Sequence, residues 1–287
     1  MGMNLVQAWG QAKKRLEAAG LSGPVIDARL LVEAAADATR TDIVTDPYRP
    51  LTPEQEAKLE DYLARRVKRE PVSHILGRKG FWKIMLRVTR DVLTPRPDTE
   101  TVVEVALRDF PENAPWSILD LGVGSGAILL ALLAERPAAK GLGIDASEEA
   151  LAVARDNAAA LGLAGRTALL RGDWTAGLAD AAFDLVVSNP PYIATDVLET
   201  LEPEVKDYEP RLALEGGPDG LDAYRILAPE ILRVLKPGGR FAVEIGYDQK
   251  EAVEALFRAA GAEDVRTIRD LADRDRVVAG AKKALGN

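Results

Sequence analysis

The sharpest chemical signal in the chain is Asn189-Pro190-Pro191-Tyr192, which closes the apolar run Phe183-Asp184-Leu185-Val186-Val187-Ser188. Proline has no amide hydrogen and a fixed φ, so two in succession hold Asn189 and its neighbouring carbonyls rigidly. The Asn189 side-chain oxygen and the Pro190 carbonyl can then both accept from one planar –NH2 group, with the Tyr192 ring offering that group a face. Accepting both hydrogens removes competing orientations and aims the nitrogen lone pair at an electrophile, which is catalysis by positioning. The alternative is a proline-stiffened loop without a chemical role.

A second signal supplies a place for the electrophile. Ile118-Leu119-Asp120-Leu121-Gly122-Val123-Gly124-Ser125-Gly126 runs from an apolar strand through a glycine-rich turn into the helical stretch beginning near Ile128. Glycine lets a backbone approach a ligand closely. The spacing is Gly-x-Gly-x-Gly, not the Gly-x-Gly-x-x-Gly of dinucleotide folds, and alone it is equally a tight turn. Further on, Gly141-Leu142-Gly143-Ile144-Asp145 reads as a second strand ending in a carboxylate. Doubly wound sheets hold ribose hydroxyls at that position, although Asp145 can also cap the helix beginning near Ser147. Leu169-Leu170-Arg171-Gly172-Asp173-Trp174 ends a third strand at the same rim. There Asp173 can accept from an adenine amino group and Trp174 can flank the ring, or Trp174 simply covers a helix. An adenosine held by three strand ends, with no phosphate-binding lysine motif, points to S-adenosylmethionine more than to NAD. Its sulfonium methyl carbon is electrophilic enough for a weakly nucleophilic amide or exocyclic amine, with the proton lost late.

Composition agrees with chemistry of that kind. The 287 residues include one histidine, His74, and no cysteine, which leaves no thiolate, two-histidine metal site, disulfide or cysteine nucleophile. No metal is expected, and His74 reads as structural. The 37 basic and 45 acidic side chains are unevenly placed: residues 1–75 are neutral, and the remainder carries the whole −8. That balance opposes binding to a nucleic-acid backbone, which rests on Lys and Arg. The N-terminus lacks a basic start followed by an apolar stretch, and the longest uncharged apolar region, 121–134, falls short of the roughly 20 residues that span a bilayer. A cytoplasmic protein without membrane contact is expected.

The elements that must position these residues fall into three stretches. Residues 1–70 are Ala-rich and helical, with Leu5, Ala8, Ala12 and Leu16 at three- and four-residue steps and Thr52-Pro53-Glu54-Gln55 as a helix start. The Arg65-Arg66-Val67-Lys68-Arg69 run is expected to be a solvated helix face near a C-terminus. Residues 71–97 read as a β-hairpin linker. From residue 98 to 287, strands near 116–121, 140–145, 167–172, 183–188, 240–245, 263–268 and 276–280 alternate with helices, as in an α/β, Rossmann-like, doubly wound sheet of seven strands beside the small helical bundle.

The set resembles class I S-adenosylmethionine-dependent amino-methyltransferases. Within them it is similar to the peptide chain release factor glutamine methyltransferases of the HemK type. The resemblance is carried by Glu70–Gly77, Phe81-Trp82, Leu93–Glu100, Tyr208–Leu214, Gly216–Arg225, Leu235–Gly239 and Val243–Gly246. It implies methylation of the side-chain amide of the glutamine in the Gly-Gly-Gln motif of class 1 release factors; a monomer is expected, and the acidic charge argues against direct DNA contact. It further implies that the helical domain holds the release factor and that the last strand is antiparallel. Carried over, the cofactor meets Gly122, Val123, Gly124, Ser125, Gly126, Asp145, Asp173, Trp174 and Asn189. The substrate glutamine meets Asn189, Pro190, Pro191 and Tyr192, with Asn189, Pro190 and Tyr192 catalytic. Two positions depart from the family pattern: Val123 stands where threonine is usual, and Asp98 where glutamate is common. An rRNA or DNA amino-methyltransferase shares the Asn-Pro-Pro-Tyr device, and a non-catalytic binding protein would share the glycine loop. The acidic charge opposes the first, and the intact Asn189 and Asp145 oppose the second.

Overall fold

Apolar residues at helical spacing fold the first part of the chain into short helices with an enclosed core. The structure, a computed structural model, describes residues 2–108 and 110–285. It divides into two compact units: residues up to Arg78 together with Glu202–Tyr208, and Lys79–Leu201 together with Glu209 onward. In the first unit, helix Leu5–Ala18 starts at a reciprocal cap between Asn4 and Gln7, and helix Pro53–Val67 at one between Thr52 and Gln55. Proline opens helix Pro24–Ala35, where its missing N–H costs nothing. Leu5, Leu16, Leu31, Leu59 and Leu63 meet in the core.

Two short helices carry no marked period of their own: Arg40–Thr45, within the stretch expected to be helical, and Val72–Leu76, where the hairpin linker is expected to begin. Both are too short for a hydrophobic period to register. Only the Thr39–Asp42 cap could have signalled the first. His74 sits half-buried in the second.

The basic run is solvated only in part: Lys68 is exposed and Arg65 half-buried, whereas Arg66 turns inward. Arg66 is 5% exposed, with Nε 2.8 Å from Asp27 Oδ2 and a terminal nitrogen 3.0 Å from Glu204 Oε1. Arg69 donates to Glu202 and Glu204, and Arg65 to Glu70. Glu202 and Glu204, remote in sequence, draw in Arg66 and Arg69.

Where the second unit begins, β1 (Arg78–Phe81) and β2 (Ile84–Arg87) form a two-stranded sheet that turns at Trp82, φ 52°. The central sheet has seven strands: β3 (Ser117–Leu121), β4 (Lys140–Asp145), β5 (Thr167–Arg171), β6 (Phe183–Ser188), β7 (Leu235–Glu244), β8 (Ala262–Arg269) and β9 (Asp275–Lys282). Their order is β5-β4-β3-β6-β7-β9-β8. Pairings from β5 through β7 are parallel, and β9, the last strand, is antiparallel to both neighbours. β7 begins upstream of its expected start and carries Pro237-Gly238-Gly239 past β6 by a register shift, the irregularity that such residues force on a ladder. Helices Glu100–Arg108, Ala127–Glu135 and Glu148–Ala160 bury Val102, Leu129, Leu133 and Leu151 on one face. Helices Asp222–Val234 and Lys250–Ala259 bury Tyr224, Ile231, Val253 and Phe257 on the other. Strands covered on both faces read as near-continuous apolar runs, as β6 does. Among the described residues no helix is long and apolar enough to cross a membrane.

Candidate active site

β3 and β6 are neighbours at the point where strand order reverses, the crevice in which open α/β sheets bind ligands. The glycine turn leaves β3 there, and Asn189 leaves β6. Gly122 has φ 75°, and a Cβ added to it would stand 3.9 Å from the Asn189 carbonyl and 4.0 Å from Trp174. The turn, the indole and the asparagine thus share one wall.

That wall encloses a cavity of about 410 Å³. Gly122, Val123, Gly124 and Ser125 line it, as do Asp145, Asp173 and Trp174. Asn189 and Pro191 face it as well. Three expected residues stand behind the wall. Gly126, φ 85°, is the residue before helix Ala127–Glu135 and packs against Leu130. Pro190 is buried, and Tyr192 packs among the apolar residues of the sheet's second face.

The Asp145 carboxylate does two jobs within the protein. Its Oδ2 accepts from the Gly124 N–H at 2.8 Å, which ties the glycine turn to β4, and its Oδ1 accepts from the Ser147 N–H at 3.0 Å. Ser147 itself is the capping residue of the following helix. An ionised carboxylate has about four acceptor sites, so lone pairs remain for ligand hydroxyls. Trp174 holds a left-handed φ of 50°, a conformation costly for a non-glycine residue that persists only where its surroundings dictate it.

Asp120 was not among the expected site residues, yet it is buried and lines the cavity. Its Oδ2 accepts from the Leu129 N–H at 3.1 Å, while Oδ1 has no partner. Burial pushes the carboxyl up to about 7, the Leu129 N–H opposing and the Asp145 charge adding to the rise. A buried acceptor without a partner is costly, and a cationic or donor group in the cavity would relieve it.

Behind Asn189 lies a second buried carboxylate. Asn189 Nδ2 donates to Thr99 Oγ1 at 3.2 Å, and the Tyr192 hydroxyl donates to Glu244 Oε1 at 3.2 Å. Burial raises Glu244 to about 7 against the opposing Thr99 hydrogen bond, the Arg276 charge and the Tyr192 hydrogen bond. Burial and then the Glu244 charge hold the Tyr192 phenol well above its ordinary value. Gln249 Nε2 donates to the Tyr192 carbonyl at 3.0 Å and to the Gly220 carbonyl at 3.1 Å. Gly220, φ 75°, comes so close that a Cβ would stand 2.4 Å from the Tyr192 oxygen, which gives the Gly216–Gly220 stretch its purpose. At the mouth, Arg96 meets the buried Glu209 at 2.6 Å, beside Pro210 and the exposed Leu212 in the wall.

Sequence reasoning therefore missed Thr99, Asp120, Glu244 and Gln249. For Asp120 and Glu244 a signal existed: each is a lone carboxylate in an apolar strand that ends at the crevice. Nothing local marked Thr99 or Gln249.

Comparison with known proteins bears on the same arrangement. The family described as PrmC N-terminal domain matches residues 7–77, and the family described as methyltransferase domain matches residues 113–280. A release factor glutamine methyltransferase of Caulobacter vibrioides is 70% identical over 99% of this chain and 99% of its own. One of Rhodospirillum rubrum is 47% identical over 95% of this chain and 83% of its own. Among solved structures, a methyltransferase from Pyrococcus furiosus superposes with a TM-score of 0.53 at 17% identity, covering 78% of this chain and 99% of that one, a likeness of fold.

Proposed function

The chain belongs to the release factor glutamine methyltransferases, and on that premise we propose that it transfers a methyl group from S-adenosylmethionine to the side-chain amide nitrogen of the glutamine in the Gly-Gly-Gln motif of a class 1 release factor. The observation that carries this proposal is Asn189: it stands in the cavity wall beside Gly122, with its Nδ2 drawn back onto Thr99. Its Oδ1 is left to accept from a substrate –NH2, with the Pro190 carbonyl as second acceptor.

The cavity suits the cofactor on three counts. Asp145 retains acceptor capacity for ribose hydroxyls, Trp174 and Asp173 flank an adenine, and the unpartnered Asp120 Oδ1 suits the ammonium of the methionine end. When bound, S-adenosylmethionine supplies an electrophilic methyl carbon. The protein's part is to accept hydrogen bonds from both amide hydrogens, turn the nitrogen lone pair toward that carbon and limit water in the crevice. As the methyl carbon leaves sulfur for nitrogen, one amide proton, made strongly acidic by the new bond, passes to solvent, so no strong base has to stand at the nitrogen. Pro190 and Pro191 keep the acceptors from relaxing.

We further propose that residues 1–70 hold the release factor, that the chain works as a monomer in the cytoplasm, and that it makes no direct DNA contact. The −8 charge confined to residues 76–287 supports a protein substrate over a nucleic-acid backbone. Titration calorimetry with S-adenosylhomocysteine tests the cofactor half. Incubation of a purified class 1 release factor with protein and cofactor, read by peptide mass spectrometry, tests the substrate half.

A further inference from the structure

Trp174 lines the cavity at a φ of 50°, a left-handed conformation that is costly for any residue but glycine. It stands at the second position of a tight turn, closed by the Ala176 N–H donating to the Asp173 carbonyl at 3.0 Å. A second turn follows at once: the Leu178 N–H donates to the Thr175 carbonyl at 3.0 Å, with Gly177 at φ 79°. Thr175, shared by the two turns, is 1% exposed. Such a backbone persists only where its surroundings over-determine it, and the surroundings here converge on one arginine.

Arg233 lies in the last turn of helix Asp222–Val234. It donates to the Thr175 carbonyl at 3.1 Å, the Thr175 hydroxyl at 3.0 Å and the Leu178 carbonyl at 2.9 Å. Asp180 Oδ1 at 2.7 Å and Glu230 Oε2 at 2.8 Å complete its set. A guanidinium has five N–H donors and no acceptor, so the direction of each of these bonds is fixed. The Thr175 hydroxyl, accepting from Arg233, keeps its own hydrogen for the Glu230 carboxylate, to which it donates. Beyond the turns, the Ala181 and Ala182 N–H groups donate to the Arg233 and Val234 carbonyls at 3.1 and 2.8 Å. Resting on the reading that Asp173 and Trp174 flank an adenine, we infer that Arg233 is a positioning residue for the cofactor. It grips the carbonyls that follow Trp174, keeps the turn from relaxing to an ordinary φ and so holds the indole in the cavity wall. Glu230 and the Thr175 hydroxyl orient that grip.

Titration calorimetry with S-adenosylhomocysteine tests the grip on full-length wild type, Arg233→Met, Trp174→Gly and the double variant. Arg233→Met is expected to weaken binding by about 5–30-fold, the equilibrium equivalent of the left-handed penalty. Glycine carries no such penalty, so in the Trp174→Gly background the same change is expected to cost less than about 2-fold. Arg166→Met controls for lost stability alone. Arg166 likewise donates to three carbonyls, those of Leu133, Arg136 and Ala139, and none of these residues lines the cavity. That variant is expected to melt at a lower temperature with affinity within about 2-fold of the wild type. Equal losses of affinity with and without Trp174, or as large a loss in Arg166→Met, would overturn the inference. If Arg233→Met does not fold, Thr175→Val takes its place, because it removes only the hydroxyl bridge, and Thr175→Ser is expected to keep wild-type affinity.

The indole N–H resonance of Trp174, assigned by its loss in Trp174→Gly, separates failure of the grip from failure of the adenine reading. In the wild type it is expected to shift when S-adenosylhomocysteine is added. In ligand-free Arg233→Met it is expected to be displaced or broadened, and in ligand-free Arg166→Met to keep its wild-type position. No shift with ligand in the wild type would sink the adenine reading, and the ligand-free spectra would still judge the grip. A Trp174 resonance unchanged in Arg233→Met would overturn the grip, whichever part of the cofactor the indole meets.

Discussion

Asp120 offers a quantitative test of the electrostatics of the crevice. The side chain is 1% exposed, carries one unpartnered oxygen, and titrates at about 7 instead of 3.8 because burial opposes its charge. A group whose folded pKa lies above its unfolded value contributes stability below the unfolded pKa, and that contribution is lost as pH rises through the folded pKa. Between about pH 5.5 and pH 8.5 the loss from such a shift is about 2 kcal/mol. Asp120→Asn keeps the side-chain shape and an acceptor for the Leu129 N–H but cannot ionise. Urea unfolding of the cofactor-free protein at both pH values yields four free energies, and the difference of differences isolates residue 120. The wild type is expected to lose about 2 kcal/mol more than the variant on going to the higher pH. A difference below about 0.5 kcal/mol, or one of opposite sign, would show that Asp120 is not held in the low-dielectric setting described.

Other perturbations have equally definite outcomes. Gly220→Ala forces a Cβ to within 2.4 Å of the Tyr192 carbonyl at a φ of 75°, so circular-dichroism melting is expected to show a loss of about 1–3 kcal/mol. Methylation is expected to fall more than cofactor affinity, because the loop that moves is the one holding Asn189. Arg66→Met leaves Asp27 without a cation while Glu204 keeps Arg69, and denaturant unfolding is expected to show a loss of about 1–3 kcal/mol, less than for a buried charge left wholly unpaired. A change below about 1 kcal/mol would mean that Arg66 is effectively solvated.

Much of the catalytic unit was legible because its signals are local. Apolar runs ending in Gly122, Asp145, Asp173 and Asn189 fix where strands stop, and parallel strands covered on both faces must read that way. Asn-Pro-Pro-Tyr stiffens itself through proline geometry, so its rigidity needs no tertiary information. The remainder depends on meetings across long stretches of sequence. Thr99 and Asn189 are 90 residues apart, and no local pattern announces their bond. Arg66 looked like a solvent-facing cation because its partner Glu204 lies 138 residues away. Asp120 and Glu244 could have been flagged as isolated carboxylates in apolar strands, whose burial has to be justified by function or by a partner. Gly220 carried no message until the Tyr192 carbonyl was seen where its Cβ would be.

In the proposed transfer, Asn189 orients a release factor glutamine for methylation. A purified class 1 release factor is incubated with S-adenosylmethionine and either the wild-type protein or Asn189→Ala, then digested and examined by tandem mass spectrometry. The wild type is expected to add the mass of one CH2 to the glutamine of the Gly-Gly-Gln peptide. The variant is expected to slow that addition by about 100-fold or more while still binding S-adenosylhomocysteine, the scale of loss for a preorganised hydrogen-bonding group at a reacting centre. Methylation at another residue, or an Asn189→Ala rate near that of the wild type, would show that Asn189 does not hold the glutamine.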